Sequence, residues 1–173
     1  VTYQATKKNT VATSAHIHST IELIYVKEGS FDAYVNEKNV ILSEGDLLLI
    51  RSNTIHRIFA RDEEKNGYHI IKINPSLIFD YSFGSNGEKY ALEFILTKEE
   101  SKLLFTSREV EDTGIKPYLE TIVRESEEMG YGSDIAVKAA VANLMLGILR
   151  FCRNETMERG GEASELLNET VGN

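Results

Sequence analysis

From Ser14 to Asn74 apolar residues come in short runs broken by turn formers, the pattern of an antiparallel all-β unit. Ile21–Lys27 is the first strong strand, Glu28-Gly29-Ser30 turns it, and Phe31–Val35 alternates before a second turn at Asn36-Glu37-Lys38-Asn39. Val40–Leu42, a turn at Ser43-Glu44-Gly45-Asp46 and Leu47–Ile50 continue the meander. After Ser52-Asn53-Thr54 the chain returns through Ile55–Ala60, crosses a charged loop from Arg61 to Gly67, and runs out along Tyr68–Asn74, which Pro75 ends. Many short strands at this pace predict a small barrel or jelly-roll sandwich.

Beyond Thr97 the period changes to that of helices. Thr97-Lys98-Glu99-Glu100 offers a capping start, with Leu103 and Leu104 as an apolar stripe. A longer helix is expected from Lys116 to Met129, with Pro117 in its first turn and Gly130 near its end. Another starts at Ser133 or Asp134 and runs to about Arg153. This last helix is apolar on two faces: Val137, Val141, Leu144, Ile148 and Phe151 form one stripe, and Ile135, Ala139, Ala142, Leu146 and Leu149 the other. Two apolar faces need two covering surfaces, which the preceding helix, the barrel or a second copy of the chain can supply. The first stripe is assigned to a homodimer contact. From Asn154 the sequence is polar, with Gly160-Gly161, and reads as a linker into a short helix over Ala163–Val171.

Composition narrows the function classes. The chain has 173 residues, room for one main core, and a net charge of -8, with a pI near 5.1. It offers no continuous basic face, so no binding of nucleic acid is expected from this chain by itself. The single cysteine, Cys152, lies in an apolar run, which fits a buried thiol in a reducing cytoplasm and rules out both an internal disulfide and a cysteine-based zinc site. No apolar stretch of about 18 residues and no charged-then-apolar leader is evident, so neither a membrane span nor a signal peptide is expected. The chain begins at Val1 without an initiator Met, as a fragment of a longer protein would.

The chemistry gathers on four residues. His16, His18 and Glu22 are spaced so that an extended strand would turn all three to one face, and that face also carries Ile24 and Val26. His56, past the Gly45-Asp46 turn, can join them from a second strand. Two or three imidazoles and a carboxylate suit a divalent transition metal such as Zn, Ni, Mn or Fe, and burying such groups is costly unless a metal or polar ligand satisfies them. Each taken alone is more commonly an ordinary strand histidine or a solvated glutamate. His69 shares parity with Ile71 and Ile73 and is a candidate lining residue or a satisfied core histidine. Arg51 and Arg57 could clamp a carboxylate or sugar oxygen at the mouth, or pair with surface acids. Tyr34, with Tyr25, Tyr68, Phe31 and Phe59, supplies packing or a wall for an effector. No nucleophile elbow, glycine-rich phosphate loop or Ser-His-Asp arrangement can be picked out, so any catalysis would be metal-assisted.

These residues resemble the two cupin motifs. The first, H-x-H-x-x-x-E-x-x-x-x-x-x-G, is matched in full by His16, His18, Glu22 and Gly29; the second is matched at Gly45 and His56, while Arg51 and Asn53 stand where the family has Pro and Gly, and Ala60 where it has Asn. A narrower resemblance is to the regulatory domain of AraC-family transcription regulators, carried by HSTIELIYVKEG from His18, EGDLLLIRSNTIHRI from Glu44, the strand ending INPSLI, and the helical part Thr97–Arg153. The resemblance implies a mainly β fold with α: a jelly-roll-like cupin barrel over residues 1–96, a helical dimerisation subdomain over 97–153, and a linker over 154–173 toward a DNA-binding helix-turn-helix domain beyond this chain. It further implies a cytoplasmic, non-enzymatic sensor that binds a small effector, a sugar or a small organic acid, among His16, His18, Glu22, Tyr34, Arg51, His56, Arg57 and His69. The alternatives are a free-standing metal-dependent cupin enzyme, such as a dioxygenase or sugar isomerase, and a plain cupin binding module.

Overall fold

The computed structural model describes residues 2–6, 11–61, 65–76 and 102–171, the last of these by backbone alone beyond Asn154. Among the described residues, nine strands form two antiparallel sheets: β1 (Thr2–Thr6), β2 (Val11–His16), β3 (Ile21–Glu28), β4 (Phe31–Val35), β5 (Lys38–Leu42), β6 (Leu47–Ile50), β7 (His56–Ala60), β8 (Asn66–Ile73) and β9 (Leu104–Phe105). One sheet has the order β1-β8-β3-β6-β9 and the other β2-β7-β4-β5. Facing sheets with this winding make a jelly-roll-like barrel, mainly β with α, the fold that the cupin resemblance implies. The six strands expected between Ile21 and Asn74 are all present within a residue or two of their predicted ends. Three short edge or terminal strands, β1, β2 and β9, were not marked by periodicity.

Turn geometry holds the meander together. Gly29 lies at φ +80°, and a Cβ there would overlap the carbonyl oxygen of Lys65, so the β3–β4 turn closes against the neighbouring loop only with glycine. Asn53 takes φ +57° where the cupin pattern has glycine. Asparagine is among the few residues that visit the left-handed region readily, so the departure from the motif leaves the turn intact.

The central strands face two cores. Ile24, Val26, Ile50, Ile58, Phe31 and Tyr68 pack between the sheets, with the Phe31 and Tyr68 rings edge to face at 4.9 Å. Ile21, Leu23, Leu47, Leu49, Ile71 and Ile73 point to the other side of the first sheet and form a second core with the helices. Strand β6 is therefore buried at every residue. A strand covered on both faces reads as a continuous apolar run, with no alternation to tell inside from outside.

Among the described residues, three helices cover that outer face: α1 (Ser107–Asp112), α2 (Lys116–Glu128) and α3 (Ser133–Val171). A capping box of Thr106 with Glu109 opens α1; the capping start expected at Thr97-Lys98-Glu99-Glu100 lies outside the described residues. Leu104, expected on a helical stripe, pairs instead with Leu48 as part of β9, because the free edge of β6 takes the chain as a further strand. Helix α3 begins as expected and continues past Arg153 through Gly160-Gly161 to Val171, where the sequence suggested a linker. Flanking Glu, Ala, Leu, Met and Arg are good helix formers, against a cost of about 1 kcal/mol for each glycine.

The stripe assigned to a dimer contact is covered within the chain. Val141, Leu144 and Ile148 are buried in the core shared by the helices and the first sheet, with Val137 and Phe151 packed against it. The other stripe is the open one: Ile135 is 70% exposed and Leu146 41%. The segment Ser133–Asn154 is also long and apolar enough, by length and composition, to cross a membrane, contrary to the reading that no such stretch exists. Its buried residues here cover a sheet, and the core helix of a water-soluble protein has the same composition.

Candidate functional site

His16 ends β2, His56 begins β7, and the two are direct partners in the ladder between those strands. Glu22 stands on β3 in the facing sheet. His18 sits between β2 and β3, in a loop tied to the β6–β7 turn: Asn53 N–H donates to the His18 carbonyl at 2.8 Å, and the Ser52 hydroxyl donates to the Ser19 carbonyl at 2.7 Å. The second motif's turn thus sets the position of the first motif's histidine. One ligand atom from each of His16, His18, Glu22 and His56 lies within 4.8 Å of the others. His16 and His18 are partly exposed, Glu22 is 2% exposed and His56 1%.

Hydrogen bonds orient the rings. Nδ1 of His16 lies 2.9 Å from the Ser14 carbonyl, Nδ1 of His18 is 3.0 Å from the Thr20 carbonyl, and Nδ1 of His56 is 2.9 Å from the Thr54 carbonyl. A carbonyl only accepts, so Nδ1 of His16 and of His56 carries the proton, and a neutral ring then keeps its lone pair on Nε2; His18 Nε2 instead donates to the Glu22 carboxylate, and the Thr20 hydroxyl, 3.0 Å from its Nδ1, can donate there. This is the support that metal-binding imidazoles use to fix tautomer and ring direction. His56 Nε2 is buried without a hydrogen-bond partner among the described residues, 3.6 Å from Glu22 Oε1. A buried ring nitrogen left with an unused lone pair is costly, and an electrophile at the centre of the four groups would satisfy it.

Glu22 carries the negative charge of the site. Burial by itself would raise its pKa, but His56, His18 and Lys72 outweigh that and hold the carboxyl at about 2. His18 Nε2 is 2.8 Å from Oε2, and the Lys72 ammonium is 3.2 Å from the same oxygen. Lys72 was missed in the sequence. It lies on β8 directly across from Glu22, and the signal that could have found it is its shared parity with Tyr68, whose ring lies between the sheets.

The other expected lining residues are elsewhere. Arg51 shares the parity of Leu49 and points to the helix side, where its guanidinium donates to the Lys102 carbonyl at 3.2 Å. His69 pairs with Tyr25 on the face of Ile71 and Ile73, opposite the quartet, and burial lowers its pKa. Tyr34 and Arg57 are on the outer face of the second sheet, where the Arg57 guanidinium stacks 4.4 Å from the Tyr34 ring centroid and 5.3 Å from that of Phe59. Of the eight ligand candidates, the structure gathers the four motif residues and turns Tyr34, Arg51, Arg57 and His69 away from them. Below the quartet, the space between the sheets is filled by Ile24, Phe31, Leu48, Ile58 and Tyr68. A ligand that uses the quartet therefore meets it at the barrel mouth.

Comparison with known proteins gives the family. No curated protein shows a significant match to the sequence. Among solved structures, a predicted oxalate decarboxylase from Thermotoga maritima is 19% identical over 42% of this chain and 63% of its own, with a TM-score of 0.40. The cupin domain of Cnp3 from Schizosaccharomyces pombe is 9% identical over 43% and 55%, with a TM-score of 0.41. A cupin superfamily protein from Desulfitobacterium hafniense is 14% identical over 41% and 62%, with a TM-score of 0.38. This chain thus spans less than two thirds of the length of each of these three. A model of the AraC-like ligand binding domain matches residues 1–145, which take in the barrel, the quartet and the start of α3. The chain belongs to the AraC-like ligand binding domain family, and its role is that of a regulatory sensing domain.

Proposed function

We propose that this chain is the effector-sensing and dimerising part of an AraC-type transcription regulator, with the quartet as the point where the effector is held. The observation that carries the reading is His56 Nε2, buried and without a hydrogen-bond partner among the described residues, facing Glu22 in a group where carbonyls engage Nδ1 of both His16 and His56. His16, His18, Glu22 and His56 would hold a divalent transition metal, which when bound would supply a Lewis-acidic centre for oxygen donors of a small organic acid or sugar. The protein's own residues fix the rings, exclude water beneath them with an apolar plug, and carry the compensating negative charge on Glu22.

Dimerisation belongs to the open stripe of α3, around Ile135, Ala139 and Leu146, because the opposite stripe is already used inside the chain. DNA recognition would lie in a helix-turn-helix domain outside this sequence. An effector changes the output only by binding one arrangement of the helices better than another. The test is calorimetric titration of the chelator-treated protein with Co2+, Ni2+ and Zn2+, repeated for His56→Ala. Stoichiometric binding that the variant loses supports the reading; absence of binding at neutral pH overturns the metal part.

A metal-dependent enzyme would use the same four groups. The family match favours the sensor, and a metal-loaded protein that turns over a small organic acid or sugar would favour the enzyme.

A further inference from the structure

The quartet has a fifth member that none of the motif positions includes. Lys72 reaches across the β3–β8 ladder to put its ammonium 3.2 Å from Glu22 Oε2, the oxygen that His18 Nε2 also approaches at 2.8 Å. Its side chain is 49% exposed, so the ammonium sits at the rim of the site, while the carboxylate it faces is buried. With neutral rings, the charges of Glu22 and Lys72 cancel, and the site is already compensated without a metal. A dication arriving among the three imidazoles would meet a carboxylate already neutralised by a neighbouring cation.

Resting on the reading of the quartet as a metal centre, we infer that Lys72 is a resident competitor that sets how tightly the site takes a divalent metal. A dication gains from Glu22 only by sharing or displacing the ammonium, and it is repelled by that ammonium at short range. Both effects weaken binding in the same direction. The exposure of Lys72 lets the ammonium swing into water when displaced, so the competition is reversible and the threshold for loading is raised without being closed. The same charge leaves the loaded site more positive than the quartet alone would make it, which favours an anionic oxygen donor over a neutral one.

The test is Co2+ binding by chelator-treated wild-type protein, Lys72→Met and Lys72→Arg, followed by calorimetry and by the visible absorption of the bound ion. Methionine keeps the length and apolar stem of lysine at a half-exposed strand position, and thermal unfolding of each variant checks that the fold is kept. Lys72→Met should bind Co2+ about five- to tenfold more tightly than wild type, the scale expected for removing one partly solvated charge beside a dication. Lys72→Arg should stay close to wild type. Equal or weaker binding by Lys72→Met, with wild type still binding, overturns the competitor role and leaves the metal centre standing. Failure of all three proteins to bind removes the metal centre, and the competitor role with it.

Discussion

His16 and His56 face each other across the β2–β7 ladder with ring centroids 4.2 Å apart, so the first cupin motif and the second meet as a single cross-strand pair. Opposed positions on an antiparallel pair project to the same face, which is how two histidines far apart in sequence come to share one centre.

This pairing predicts unequal consequences for two sets of mutations. His16→Ala and His56→Ala each remove a ligand atom and should weaken Co2+ binding by more than the roughly 10- to 100-fold that loss of a supporting partner costs. Arg57→Ala should leave the affinity unchanged, because Arg57 stacks on Tyr34 on the outside of the barrel. Parallel titrations of the three variants check both statements.

The α1 cap gives a pH dependence with a fixed sign. Burial raises the pKa of Glu109, but Lys102 Nζ at 2.6 Å and the backbone and hydroxyl donors of Thr106 outweigh it, so the carboxyl sits below its ordinary value of 4.5. A carboxylate with a lowered folded-state pKa stabilises the fold above its unfolded pKa, and that contribution fades as pH falls through the folded value. Glu109→Gln should cost about 1 kcal/mol at neutral pH. The gap to wild type should hold down to the ordinary carboxylate range and narrow below it, as read by urea unfolding at a series of pH values.

Helix α3 touches the start of α2 through a missing side chain. A Cβ on Gly147 would overlap Cγ2 of Ile115, which is fully buried. Gly147→Ala gains about 1 kcal/mol of helix propensity but overpacks a closed contact, which costs roughly 1–3 kcal/mol. The variant should be less stable than wild type in chemical denaturation, the opposite of what a solvent-facing helical glycine would give.

The two stripes of α3 should separate association from folding. Leu146→Asp and Ile135→Asp place a charge on the open face and should shift the protein toward monomer in sedimentation experiments while leaving its unfolding curve near that of wild type. Leu144→Asp would bury an unpaired charge in the sheet–helix core and should prevent folding altogether. A wild-type protein that is monomeric at tens of micromolar would count against the dimer contact.

The strands were legible because turn formers bracket them, and the quartet because its spacing matches a motif; the single extended strand expected to carry His16, His18 and Glu22 is instead the end of β2, a loop and β3, in two facing sheets. Parity failed where both faces of a strand are apolar. On β8, Ile70 lies toward one core and Ile71 and Ile73 toward the other, so the parity that His69 shares with Ile71 and Ile73 holds but leads to the helix side rather than the barrel interior, and Lys72 was not singled out at all. Arg51 was misplaced for the same reason, at the end of a strand buried throughout. On α3 two equivalent stripes left the sequence unable to say which the chain uses for itself; the answer depends on where α2 and the first sheet lie, which is set by contacts distant in sequence.

Strand β3 has no private movements. Glu22 belongs to the ligand quartet, while Ile21 and Leu23 on either side of it belong to the core that seats α2 and α3. One backbone serves as the floor of the site and the ceiling of the helical layer. Whatever the mouth of the barrel holds, its pull on Glu22 reaches the helices after a single peptide unit.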